Sequence, residues 1–115
     1  MNKDFIYHSV DGKKMISFTI TDGVLETISF SQNDDAGNKL RQIDLDGNLD
    51  GVLKLFYPTG VLNKEKEIKG MVAEGKAVTY YPNGAVYVID EYKNGSLHKA
   101  SEVFDENGTK ISGNE

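Results

Sequence analysis

The chain has 115 residues and a mass of 12.7 kDa, enough for one domain and too little for a cofactor domain beside a substrate domain. Thirteen basic against eighteen acidic side chains give a formal charge of -5 and a pI near 5.0, the wrong sign for gripping phosphate backbones, so nucleic acid is not an expected partner. The lack of cysteine excludes disulfides, thiolate zinc sites and a cysteine nucleophile, and six tyrosines and five phenylalanines spread along the chain argue against disorder.

In chain order, Met1-Asn2-Lys3-Asp4-Phe5 puts an acid where an export signal would begin its apolar run. That start leads to the expectation of a cytoplasmic protein, and, with no stretch approaching the roughly 20 apolar residues of a membrane helix, a membrane is a poor partner. Over residues 15–20, Ile16, Phe18 and Ile20 fall on one face and Ser17 and Thr19 on the other, the period of two of a half-buried strand. Val24, Ile28 and Phe30 oppose Leu25, Thr27 and Ser29 in the same way, except that Glu26 intrudes. The longer loop Ser31-Gln32-Asn33-Asp34-Asp35-Ala36 then predicts that the N-terminal third packs differently from the rest. Residues 53–57 place Leu53, Leu55 and Tyr57 together. Residues 63–69, with Lys64, Glu65, Lys66 and Glu67, are too short for an independent helix and read as a charged, solvent-facing strand. Ala85, Tyr87 and Ile89 oppose Val86 and Val88, apolar on both faces, and Ser112-Gly113-Asn114-Glu115 reads as a polar cap.

The glycines organise these segments. Gly12, Gly37, Gly60, Gly84 and Gly108 are 25, 23, 24 and 24 residues apart, and Gly23, Gly47, Gly70 and Gly95 are 24, 23 and 25 apart. The two series are offset by half a period, so a turn-forming residue recurs about every 12 residues, the spacing of short strands joined by tight turns. The segment Phe56-Tyr57-Pro58-Thr59-Gly60 recurs as Tyr80-Tyr81-Pro82-Asn83-Gly84 and, more loosely, as Phe104-Asp105-Glu106-Asn107-Gly108. Both prolines occupy one register, where a fixed φ opens a turn that glycine completes. The expected fold is all-β: an antiparallel β-meander of repeated hairpins with a period of about 24 residues, nine or ten short strands in one sheet, elongated or partly rolled. Residues 1–115 form one domain, with clear repeats over 46–108 and degenerate ones over 5–45.

The run Gly75…Tyr80-Tyr81-Pro82-Asn83-Gly84…Tyr92-Lys93-Asn94-Gly95 resembles the bacterial variant of the MORN repeat, as in the YwqK family of antitoxin components. The resemblance implies a repetitive β-sheet and a protein-binding role, including neutralisation of a toxin. Phe30 stands seven residues before Gly37 instead of four, and Lys99 replaces a repeat glycine, so the pattern is imperfect toward both ends.

Catalytic material is sparse. His8 and His98 lie some 90 positions apart among polar residues and read as ordinary histidines; no nucleophile elbow, phosphate loop or His-Glu-x-x-His segment is present. Asp46, Asn48, Asp50 and Gly51 imitate the first half of a calcium loop, but Tyr57 stands where the closing Glu belongs, so neither metal nor cofactor is implied. Two other features remain. Asp34, Asp35, Asp44, Asp46 and Asp50 concentrate negative charge, either as a solvated face or as a docking patch for a basic partner. Tyr57, Tyr81 and Tyr87 are either the packing ladder of the repeat or partner-binding anchors. The function expected is that of a non-enzymatic protein-binding module, such as an antitoxin or immunity-type protein that occludes a basic toxin. The alternative is a structural or envelope-associated repeat protein that binds membrane or polymer surfaces.

Overall fold

Two kinds of turn recur in the molecule, and each follows from its residues. Asp22-Gly23, Gly70-Met71 and Asn94-Gly95 are two-residue hairpin loops in which both residues have positive φ, the requirement of a turn that matches the right-handed strand twist. The other turns are wider. At Tyr57 the amide of Gly60 bonds back to the Tyr57 carbonyl at 2.8 Å, while the Tyr57 amide reaches the Val61 carbonyl at 2.8 Å; Asp34, Asp46, Tyr81 and Asp105 repeat this pattern. The fourth residue of the pattern must be left-handed, and it is Gly37, Gly60, Gly84 and Gly108 in turn, but Leu49 in the turn that begins at Asp46.

These turns connect β1 (Asn2–His8), β2 (Lys14–Thr21), β3 (Val24–Asn33), β4 (Lys39–Asp46), β5 (Gly51–Phe56), β6 (Leu62–Lys69), β7 (Val72–Tyr80), β8 (Val86–Lys93), β9 (Ser96–Phe104) and β10 (Lys110–Ser112). The computed structural model describes residues 2–112; the rest of the expected polar cap, residues 113–115, lies outside them. Each strand pairs antiparallel with its chain neighbours in one ten-stranded sheet, open at β1 and β10 and not closed into a barrel. The radius of gyration is 16.6 Å and the extents are 51 × 34 × 18 Å. A compact chain of this length would have a radius of about 13 Å, so the sheet is elongated.

Three sequence expectations are corrected. The N-terminal third does not pack differently: β1 to β4 continue the same ladder, because the 34–38 segment closes as the same kind of turn as the one at Tyr57. Residues 62–69 do form a strand, but Lys64, Glu65 and Lys66 are half-buried, since β6 lies between β5 and β7. Lys66 Nζ sits 4.6 Å from the centre of the Tyr92 ring, which gives the ammonium an aromatic face. The intrusion of Glu26 is a β-bulge: Thr19 faces Thr27 and Ile20 faces Leu25, so Glu26 has no opposite number. Leu25 therefore joins Ile28 and Phe30 on one face, and Val24 turns outward at 64% exposure.

One face of β1 to β5 thus carries two apolar rows. Phe5, Phe18, Ile28 and Leu45 are successive cross-strand partners, as are Tyr7, Ile16, Phe30, Ile43 and Leu53. The opposite face carries Ser17, Ser29 and Asp44 in one row. Among the described residues no second layer covers the apolar face, and only Leu45 (4% exposed) and Ala77 (0%) are buried apolar side chains. Stability rests on the backbone ladder and on cross-strand pairs worth about 0.2–1 kcal/mol each. Phe5 stacked on Phe18 at 4.9 Å and Tyr7 on Phe18 at 6.1 Å are two of these.

Candidate functional site

The strand lengths place the residues singled out in the sequence. The turns at Gly12, Gly37, Gly60, Gly84 and Gly108 share one long edge of the sheet, and those at Gly23, Gly47, Gly70 and Gly95 share the other. Asp34 and Asp35 precede β4 whereas Asp46 ends it and Asp50 follows it, so roughly 25 Å of extended chain separates the two groups. The acids adjacent in sequence are not one patch.

Most of these carboxylates have internal work. Asp34 Oδ1 accepts the amides of Asn38 at 2.8 Å and Ala36 at 3.0 Å, and Asp46 Oδ1 accepts those of Asn48 at 2.8 Å and Asp50 at 3.0 Å. The Asn38 amide, with the Asn38 side chain and the amides of Ala36 and Gly37 behind it, holds the Asp34 carboxyl below its ordinary value of 3.8. Asp44 accepts from the Ser29 hydroxyl at 2.7 Å and from the Gln42 amide, and Asp50 accepts the Gly70 amide at 2.8 Å. Asp35 pairs with Lys13 and is highly exposed. Among the described residues, no group of three or more His, Asp or Glu is placed to share a metal ion.

The tyrosines divide similarly. The Tyr57 hydroxyl donates to the Tyr80 carbonyl at 2.5 Å, and the Tyr81 hydroxyl to the Phe104 carbonyl at 2.7 Å, so both half-buried rings link one repeat to the next. Burial pushes the Tyr81 phenol above 10.0, with Tyr87, Glu106 and Asp105 adding to the rise. Tyr87, whose ring centre lies 4.5 Å from that of Tyr81, is 40% exposed and the most accessible of the three.

Sequence reasoning missed a concave feature of the molecule. An open groove of about 640 Å³ lies on the apolar face of β1 to β4, floored by Tyr7, Ile16, Phe30 and Ile43 and lined also by Met71 from the β6–β7 turn. Beside this apolar row runs a second one on the same face, Lys14, Gln32 and Arg41, again successive cross-strand partners. The groove lining contains Lys14, Arg41 and His8 and no acid, although acids outnumber bases in the chain by five. The sequence did hold one clue. The other two-residue turns read Asp22-Gly23 and Asn94-Gly95, whereas Gly70-Met71 places a large side chain at the second position, at φ 70°.

This architecture matches the sequence comparison. Residues 49–69 and 73–94 match the MORN repeat variant. Each MORN match covers one hairpin, β5–β6 and β7–β8, and includes its linking tyrosine, Tyr57 or Tyr81. No curated protein matches the chain. MORN repeats are known for binding, and the β1–β4 floor of the groove lies outside the two matched segments, with Met71 between them.

Proposed function

We propose that the chain is a protein-binding repeat module that docks a partner on the uncovered apolar face of β1 to β4 and blocks it by occlusion, as an antitoxin or immunity-type protein does. The observation that carries this reading is the row Tyr7, Ile16, Phe30 and Ile43, a contiguous apolar strip with no second layer over it. Such surfaces on soluble domains mark interaction sites. Aromatic anchors such as Tyr7 and Phe30 supply most of the energy of a typical interface. The net charge of -5 attracts a basic partner at long range and speeds encounter. MORN-type hairpins on the C-terminal side act as the rigid support on which the face is held.

A photo-crosslinking amino acid at Phe30, used in the source cell, identifies what covers the face. The expected product is one protein adduct whose purified form binds the parent chain. Phe30→Asp should abolish that binding while leaving the far-UV circular dichroism unchanged. Co-expression should rescue growth from a toxic partner with the parent chain and not with Phe30→Asp. Adducts to lipid alone, or binding that ignores Phe30→Asp, would overturn the reading.

A further inference from the structure

The groove has two features that a plain apolar surface lacks. Its two rows run side by side about 7 Å apart, two residues along the strands, and each crosses several strands. One row is apolar (Tyr7, Ile16, Phe30, Ile43) and the other carries cations and donors (Lys14, Gln32, Arg41). The side chain of Arg41 makes no hydrogen bond or ion pair among the described residues, in a chain rich in acids. A guanidinium left without a carboxylate beside an apolar strip is arranged for an anion brought by something else.

Met71 is the second feature. Its φ of 70° lies in the left-handed region, where a side chain carries a steric cost that glycine avoids. Packing in the chain itself recovers little of that cost, because Met71 is 58% exposed. Its side chain lines the groove, and methionine is the apolar side chain best able to adapt to a partner.

On the reading that the chain binds a protein, we infer that the groove takes an amphipathic segment of that partner, with an apolar edge over Tyr7, Ile16, Phe30 and Ile43 and an acidic edge over Lys14, Gln32 and Arg41. The apolar row spans three inter-strand spacings, about 14 Å, which matches a segment of roughly ten helical residues. Openness on one side favours such a segment over a small molecule, which needs a cleft that encloses most of its surface. The overall charge and the groove then act at different ranges. The chain as a whole attracts a basic partner, and the groove selects an acidic segment on it.

The test uses a fluorescein-labelled twelve-residue peptide with a leucine face bordered by glutamates, and a twin with lysines in place of the glutamates. Fluorescence anisotropy should show the acidic probe binding at least about tenfold more tightly. Arg41→Gln should remove most of that preference, roughly the effect of losing one charge-assisted contact. Met71→Gly should raise the urea midpoint and yet weaken binding of the acidic probe severalfold, an opposition that a merely structural residue would not produce. Equal binding of the two peptides, indifference to Arg41→Gln, or capture of phosphatidylglycerol vesicles in place of the peptide would overturn the assignment. Acidic selectivity without a Phe30 protein adduct would remove the occlusion reading alone. A Phe30-dependent partner with no acidic selectivity would remove this inference alone.

Discussion

The hydroxyl of Tyr57 meets the carbonyl of Tyr80 at 2.5 Å, and Tyr81 makes the same bond to Phe104 at 2.7 Å. A residue at the mouth of one turn thus holds the strand end of the hairpin after it. Tyr57→Phe keeps the ring and leaves that carbonyl without its donor, so it should lower stability by about 1 kcal/mol. Tyr57→Ala should cost more, because the ring is lost as well. Urea unfolding checks both, and an unchanged midpoint for Tyr57→Phe would mean the hydroxyl contributes nothing.

Two glycines should respond to alanine for different reasons. A Cβ on Gly51 would lie 1.8 Å from the Asp44 carbonyl oxygen, inside the ladder of β4 and β5, where backbone cannot yield without breaking pairs. A Cβ on Gly60 meets nothing within 4 Å, but its φ of +92° disfavours any side chain. Gly60→Ala should therefore cost on the order of 1 kcal/mol, and Gly51→Ala about 3 kcal/mol or enough to prevent folding. Thermal melts of the two variants should rank them in that order.

Stability should fall at both ends of the pH scale, from different groups. The Asp34 carboxyl is held below 3.8 when folded, so its contribution is present above that value and is lost as pH drops through the depressed one. Asp34→Asn, which keeps an accepting oxygen, should flatten the acid arm. The Tyr80 and Tyr81 phenols are raised above 10.0, chiefly by burial, so their contribution is complete below that value and is lost as pH climbs through the raised one. Urea midpoints measured from pH 2 to 12 test both arms; an alkaline arm unaltered in Tyr81→Phe would exclude that phenol as a source.

The turn at Asp46 separates charge from hydrogen bonding. Its Oδ1 accepts two amides of its own turn, at 2.8 and 3.0 Å, which asparagine can imitate and alanine cannot. Asp46→Asn should stay close to the parent, and Asp46→Ala should lose about 1 kcal/mol. Equal losses in the two variants would show that the negative charge, and not the turn, is what the position needs.

These positions also show what was readable beforehand. The glycine series revealed strand number and direction because a left-handed turn residue leaves a mark within four positions of chain. Glu26 was visible as a break in alternation, but only the pairing of Ile20 with Leu25 shows that the break is a bulge. The hydroxyl of Tyr57 was opaque, since its acceptor lies 23 residues away. The five aspartates looked like one cluster because sequence distance ignores that β4 runs the width of the sheet between them. Arg41 and Met71 line one groove although β5 and β6 intervene between them in the chain, a relation that no local pattern encodes.

The order of strands in space is the order in the chain, from β1 to β10 without a crossover. A hairpin leaving the ribosome therefore finds one neighbour among residues already synthesised and the other in the hairpin that follows, and assembly can follow translation unit by unit. Inheritance is eased by the same arrangement: duplicating one 24-residue block lengthens the ribbon without asking any distant side chain to change.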